Sequence, residues 1–175
     1  MKTLTILFVL TSHAMLGDKG KPTGVWFEEL STPYYALVDA GYNVEIVSID
    51  GGAVPIDPKS KKAIGENPAS VDRFLKDDAA MKKITTTSSV ADIKADQYAA
   101  VFLPGGHGTM WDLPNSKPLA NLLGKAMDEG KVVAAVCHGP AGLVNATLKN
   151  GDSIVKGRKV SAFTNEEEDA VGLTE

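Results

Sequence analysis

Four apolar runs of strand length, Leu4 to Leu10, Asn43 to Ile49, Tyr98 to Leu103 and Lys131 to Val136, recur along the chain with helical stretches between them. In the first, Ile6, Leu7, Phe8 and Val9 follow one another without a polar interruption, the pattern of a parallel strand covered on both faces. Between the runs, Phe27, Leu30, Tyr34, Leu37 and Val38 share one helical face, and Leu119, Leu122, Leu123, Ala126 and Met127 share another. Ser116 can cap the second helix and Gly130 can end it. Strand and helix alternating at this spacing imply right-handed crossovers, and hence a doubly wound, flavodoxin-like α/β fold: a parallel sheet flanked by helices.

A length of 175 residues corresponds to one domain, 1–175. Residues 51–93 are less regular, with Pro55, Pro58 and Pro68, a short helical pattern at Val71, Phe74 and Leu75, and a polar stretch from Thr85 to Ser89. They read as an excursion at the end of the sheet. Asp152 to Phe163 reads as a short hairpin around Lys156-Gly157, and the acidic run Glu166, Glu167, Glu168, Asp169 as the start of a solvated helix.

Composition narrows the function classes. Lys and Arg number 18 against 22 Asp and Glu, with no basic block, so a nucleic-acid partner is not expected. One cysteine forms no internal disulfide, and with three histidines it offers no zinc spacing, so a reducing cytoplasmic setting is expected and no metal. The Leu4 to Leu10 run is too short to span a bilayer and lacks a signal-peptide cleavage pattern, so no membrane association is expected.

Ligands of doubly wound sheets bind beyond the carboxyl ends of the strands. Three such loops carry chemistry. Cys137-His138-Gly139-Pro140 resembles a nucleophile elbow, in which a sharp turn exposes the side chain and the following amides favour a thiolate. The alternative is a buried cysteine packing as a small hydrophobe. Gly105-Gly106-His107-Gly108 can turn backbone amides toward a ligand, or form a plain strand-to-helix turn; it is neither a Walker loop nor a dinucleotide fingerprint. Glu28 and Glu29 open a helix, where the dipole alone favours acids; Glu29 adjoins the apolar face and can lean over the site while Glu28 points to solvent. His13 reads as a loop histidine.

Taken together, Pro104-Gly-Gly-His-Gly-Thr, Ala135-Val-Cys-His-Gly-Pro-Ala, Thr23-Gly-Val-Trp-Phe-Glu-Glu, Pro55-Ile-Asp-Pro-Lys-Ser and Phe163-Thr-Asn-Glu-Glu-Glu resemble the ThiJ/PfpI superfamily, related to the class I glutamine amidotransferases. The branch most resembled holds glutathione-independent glyoxalases and heat-shock chaperones. The resemblance implies Cys137 as nucleophile, His138 as its triad histidine, Glu29 as the acid beside the cysteine and Glu168 as the triad acid, with Glu167 its nearest competitor and Glu166 also in the run. It further implies oxyanion donors at the amides of Gly106 and His138, and substrate contacts at Gly105 and His107. No late His-x-Glu pair is present, which argues against glutamine hydrolysis.

The activity so implied is conversion of methylglyoxal and similar 2-oxoaldehydes to 2-hydroxy acids such as lactate, through a cysteine hemithioacetal and without a cofactor, by a homodimer. A stress-response holdase with a redox-sensing Cys137, and a peptidase or deglycase using the same triad, are the alternatives. Relatives of this kind continue past the acidic run with at least another strand and helix, so the C-terminal part of the family fold is expected to lie outside the 175 residues.

Overall fold

The computed structural model describes residues 4–17 and 20–173. Its centre is a five-stranded parallel sheet built from β1 (Thr5–Leu10), β4 (Asn43–Ser48), β5 (Ser88–Ser89), β6 (Ala100–Leu103) and β7 (Val132–Ala135), in the order β5-β4-β1-β6-β7. A two-stranded ribbon, β2 (Met15–Leu16) with β3 (Lys21–Pro22), follows the first strand. Around the sheet stand α1 (Phe27–Asp39), α2 (Ala69–Lys76), α3 (Asp78–Thr85), α4 (Thr109–Asp112), α5 (Lys117–Asp128) and α6 (Asn165–Val171).

The central strand explains its own sequence. Leu7 and Val9 point into a core shared with Leu119 and Leu123 of α5, while Phe8 and Leu10 point into a second core with Phe27, Leu30 and Phe74. From Ile6 to Leu10 alternate side chains enter the two cores, which leaves no position there for a polar residue. β1 pairs with β4 on one side and β6 on the other, so the chain order reverses between β1 and β6. That reversal opens a crevice at the carboxyl ends of these strands, where the candidate residues gather.

The expected caps form: Ser116 accepts the amide of Leu119, and Gly130, at φ +71°, closes α5. Three expectations are corrected. The excursion at 51–93 contains two helices, α2 and α3, and returns to the sheet as β5, a two-residue polar edge strand paired with Val47 and Ser48. The run around β7 is covered on one face only; Val133 and Ala135 pack on the α5 core, while Val132 is 63% exposed. The hairpin around Lys156-Gly157 does not form. Buried Ile154 donates instead to the carbonyl of Ala146, Ser153 bridges to Thr147, and the chain turns through Lys156 and Arg158 before running extended. Anchoring Ile154 in the core gains more than pairing the polar residues that follow. Among the described residues, no helix is long and apolar enough to cross a membrane.

Candidate active site

Cys137 follows β7 and stands at φ +56°, the only non-glycine residue with positive φ among the described residues. Such a left-handed conformation costs roughly 1–3 kcal/mol and persists where the surroundings enforce it. They do so here through close packing: a side chain on Gly139 would lie 2.2 Å from the carbonyl oxygen of Leu103. Behind the cysteine, a short 3-10 turn over Gly139–Leu143 begins with Pro140 in its first turn. The backbone amides of Gly106 and His138 both hydrogen-bond to the cysteine sulfur.

Glu29 reaches the same point from the first turn of α1. Its Oε2 accepts the amide of Gly105 at 2.8 Å, and its carboxyl is hydrogen-bonded to Cys137. A side chain on Gly105 would sit 2.7 Å from that Oε2 and 2.8 Å from the Cβ of Cys137, so only glycine leaves room for the two to meet. Glu28, one residue earlier, is exposed. Burial raises the Glu29 pKa above the ordinary carboxyl value, against the hydrogen bonds from Cys137 and Gly105.

The Cys137 thiol is pushed up to about 12 by burial, then by the Glu29 charge and hydrogen bond; the Gly106 and His138 amides oppose this and lose. The expectation of a simple low-pKa thiolate is therefore corrected. Cys137 and Glu29 titrate together, holding one proton between them over a wide pH range. That proton can rest on sulfur or on the carboxyl without changing the net charge of the pair.

On the other side of the sulfur, His138 is buried, with Nδ1 3.1 Å from Cys137 Sγ and Nε2 2.5 Å from Oε1 of Glu168. The acidic run supplies this partner because it opens α6. Thr164 caps the helix by accepting the Glu167 amide, and the Glu167 side chain folds back onto Thr164. Glu166 and Glu167 are exposed, and Glu168 turns inward. Phe163 ties α6 to the elbow: its amide donates to the Cys137 carbonyl at 2.9 Å, and its ring lies 4.4 Å from that of His138. Burial lowers the His138 pKa despite the Glu168 hydrogen bond. For Glu168, burial works upward, but the hydrogen bonds from His138 and His107 prevail and hold its carboxyl below the ordinary value.

His107, expected to contact substrate, contacts Glu168 in the structure. Its Nε2 is 3.0 Å from Oε2 of Glu168, and its ring centroid lies 4.1 Å from that of His138. The donor atoms of His107, His138 and Glu168 fall within 4.8 Å of one another, but each is engaged in the hydrogen bonds just described. The three side chains form a hydrogen-bonded trio. His13 is a loop histidine, stacked on Trp111 with ring centroids 5.0 Å apart. Sequence reasoning missed Phe163 as a wall of the site; its position directly before the Thr164 cap was the available signal. A cavity of about 550 Å³ opens beside Cys137, His138 and Glu168, with Met110, Val144 and Phe163 among its walls.

Comparison with known proteins places these residues in context. Residues 23–171 match the DJ-1/PfpI family. Glyoxalase 3 of Candida albicans is 33% identical over 176 residues, covering 97% of this chain and 73% of the relative. The glutathione-independent glyoxalase hsp3102 of Schizosaccharomyces pombe is 34% identical over 161 residues, covering 88% of this chain and 65% of the relative. The crystal structure of glyoxalase III from Candida albicans superposes with a TM-score of 0.86 at 31% identity, covering 98% of this chain and 72% of that one. The chain thus spans between about two thirds and three quarters of the length of these proteins.

Proposed function

The chain belongs to the DJ-1/PfpI family, and we propose that it is a glutathione-independent glyoxalase, an enzyme that converts methylglyoxal and similar 2-oxoaldehydes, with the uptake of one water, to 2-hydroxy acids. The observation that carries this reading is the placement of the Cys137 sulfur between the Glu29 carboxyl and the amides of Gly106 and His138. A nucleophile, a proton carrier and two oxyanion donors are what the reaction requires.

In the first step the sulfur bonds to the aldehyde carbon. The pair's proton passes to the aldehyde oxygen, giving a hemithioacetal while the two amides hold the developing alkoxide. Glu29 is thereby left as a carboxylate, poised over the same carbon. It removes the hydrogen from that carbon while the hemithioacetal's hydroxyl proton passes to the neighbouring oxygen, giving an enediolate, and returns the hydrogen to the neighbouring carbon, which converts the hemithioacetal into a thioester of the 2-hydroxy acid. One carbon is oxidised and its neighbour reduced, so no external oxidant, reductant or cofactor enters. His138, neutral and oriented by Glu168, activates the water that cleaves the thioester and restores the thiol. The lone cysteine supports a reducing, cytoplasmic setting, and the family resemblance supports a homodimer.

The test is lactate formation from methylglyoxal in glutathione-free buffer. Wild type should produce lactate and Cys137→Ser should not. Suppression of protein aggregation without lactate formation by wild type would instead favour the holdase reading.

A further inference from the structure

We infer that His107 is a positioning residue, which fixes the Glu168 carboxylate, and through it His138, by anchoring α6 to the rigid loop after β6. The inference deepens the glyoxalase reading and rests on it for its kinetic arm only.

Glu168 is ionised and accepts on both oxygens, Oε1 from His138 at 2.5 Å and Oε2 from His107 at 3.0 Å. A carboxylate can only accept, so both imidazoles carry their hydrogen on Nε2. For His138 this leaves Nδ1 unprotonated, facing the cysteine sulfur at 3.1 Å. A carboxylate held by one hydrogen bond can pivot and exchange its oxygens; one held by two cannot.

Among the described residues, α6 buries none of its seven side chains. The loop carrying His107 is its opposite. A side chain on Gly106 would lie 2.1 Å from the carbonyl oxygen of Gly24, and one on Gly108 would lie 2.6 Å from that of His13. Buried Thr109 also donates to the Gly106 carbonyl at 2.8 Å. The His107 and Glu168 side chains are 16% and 18% exposed, so their contact is largely withdrawn from water. His107 thus ties the Glu168 carboxylate of α6 to a closely packed loop.

The groups facing His138 are Glu168 and Glu167 of α6, His107 of the loop, and Cys137 beside it with Glu29 behind the sulfur. Glu168 and Glu167 favour the imidazolium and His107 disfavours it. Removing the His107 ring therefore raises the His138 pKa and moves the acid limb of kcat/KM to higher pH.

The experiment compares His107→Leu with His107→Gln, since glutamine keeps an N–H donor for Oε2. Expected is a fall in kcat of about tenfold or more in His107→Leu at nearly unchanged KM, with its acid limb moved upward. His107→Gln should recover kcat to within about threefold of wild type. A raised KM at unchanged kcat would make His107 a substrate ligand and overturn the inference, as would a glutamine variant no better than leucine. Imidazole nitrogen NMR of protein labelled in its histidine rings reads the same clamp without substrate. His138 should show one tautomer, protonated at Nε2, in wild type and His107→Gln, and averaged tautomers in His107→Leu. An unchanged His138 signature in His107→Leu would overturn the inference even if the enzyme proved not to be a glyoxalase.

Discussion

Glu29 and Cys137 meet in the space that a side chain on Gly105 would occupy, and the two share one proton. Burial penalises charge on both, and the Glu29 carboxylate raises the thiol's affinity for the proton, while the hydrogen bond from Cys137 opposes the rise at Glu29. The first deprotonation is shifted above the ordinary carboxyl range and the last is delayed to about pH 12. Between them the thiolate content of the site depends on where the proton sits, and not on how many protons the buffer supplies.

Alkylation kinetics follow from this. The rate at which iodoacetamide labels Cys137 should be nearly flat between about pH 7 and 9, where an ordinary thiol of pKa about 8.5 gains steeply. In Glu29→Gln the shared proton is gone and the rate should rise with pH. A steep rise in wild type would show that the two groups titrate independently.

The raised Glu29 pKa also sets a stability signature. A group whose folded pKa is raised contributes stability that is full below its unfolded pKa and lost as pH rises through the folded value. Glutamine avoids that loss. The melting temperature of Glu29→Gln minus that of wild type should therefore grow as pH rises from about 4, near the unfolded pKa, through the raised folded value, and then level off. Thermal unfolding across that range measures it, and a constant difference would exclude a perturbed carboxyl at this position.

Neighbouring acids in α6 should separate cleanly. Glu168→Gln loses the partner that orients His138, so kcat should fall by about 10²-fold or more. Because Glu168 favours the imidazolium, its removal should also move the acid limb of the pH profile downward. Glu167→Ala loses its capping-box contact with Thr164 and a minor charge near His138, so stability should fall slightly with kcat within a few-fold of wild type. Kinetics paired with thermal melts of both variants decide the assignment.

Much of the fold is legible because β1 lies between two cores and its residues from Ile6 to Leu10 must be apolar. The edge strand β5 escapes notice because Ser88 and Ser89 pair only by backbone and bury no apolar face. The turn at Lys156-Gly157 is local and can be read from residue types, whereas the absence of a hairpin depends on Ile154 finding the core beside Ala146. In the site, the elbow at Cys137 is a local device of strand, glycine and proline, and it is visible. The direction of the thiol's pKa is not visible, since it depends on a carboxyl delivered from α1. Nor is the His107–Glu168 contact, which joins residues 61 positions apart on separate elements.

The most direct test of the mechanism is mass spectrometry of Cys137 in Glu29→Gln exposed to methylglyoxal, beside a lactate assay on the same sample. The account predicts that the sulfur still adds to the aldehyde, so a one-to-one adduct on Cys137 accumulates, while lactate forms at least about 10²-fold more slowly than with wild type. Glu28→Gln should turn over within a few-fold of wild type and accumulate no adduct. Lactate formation by Glu29→Gln at a near-wild-type rate would contradict the account and move the proton carrier elsewhere.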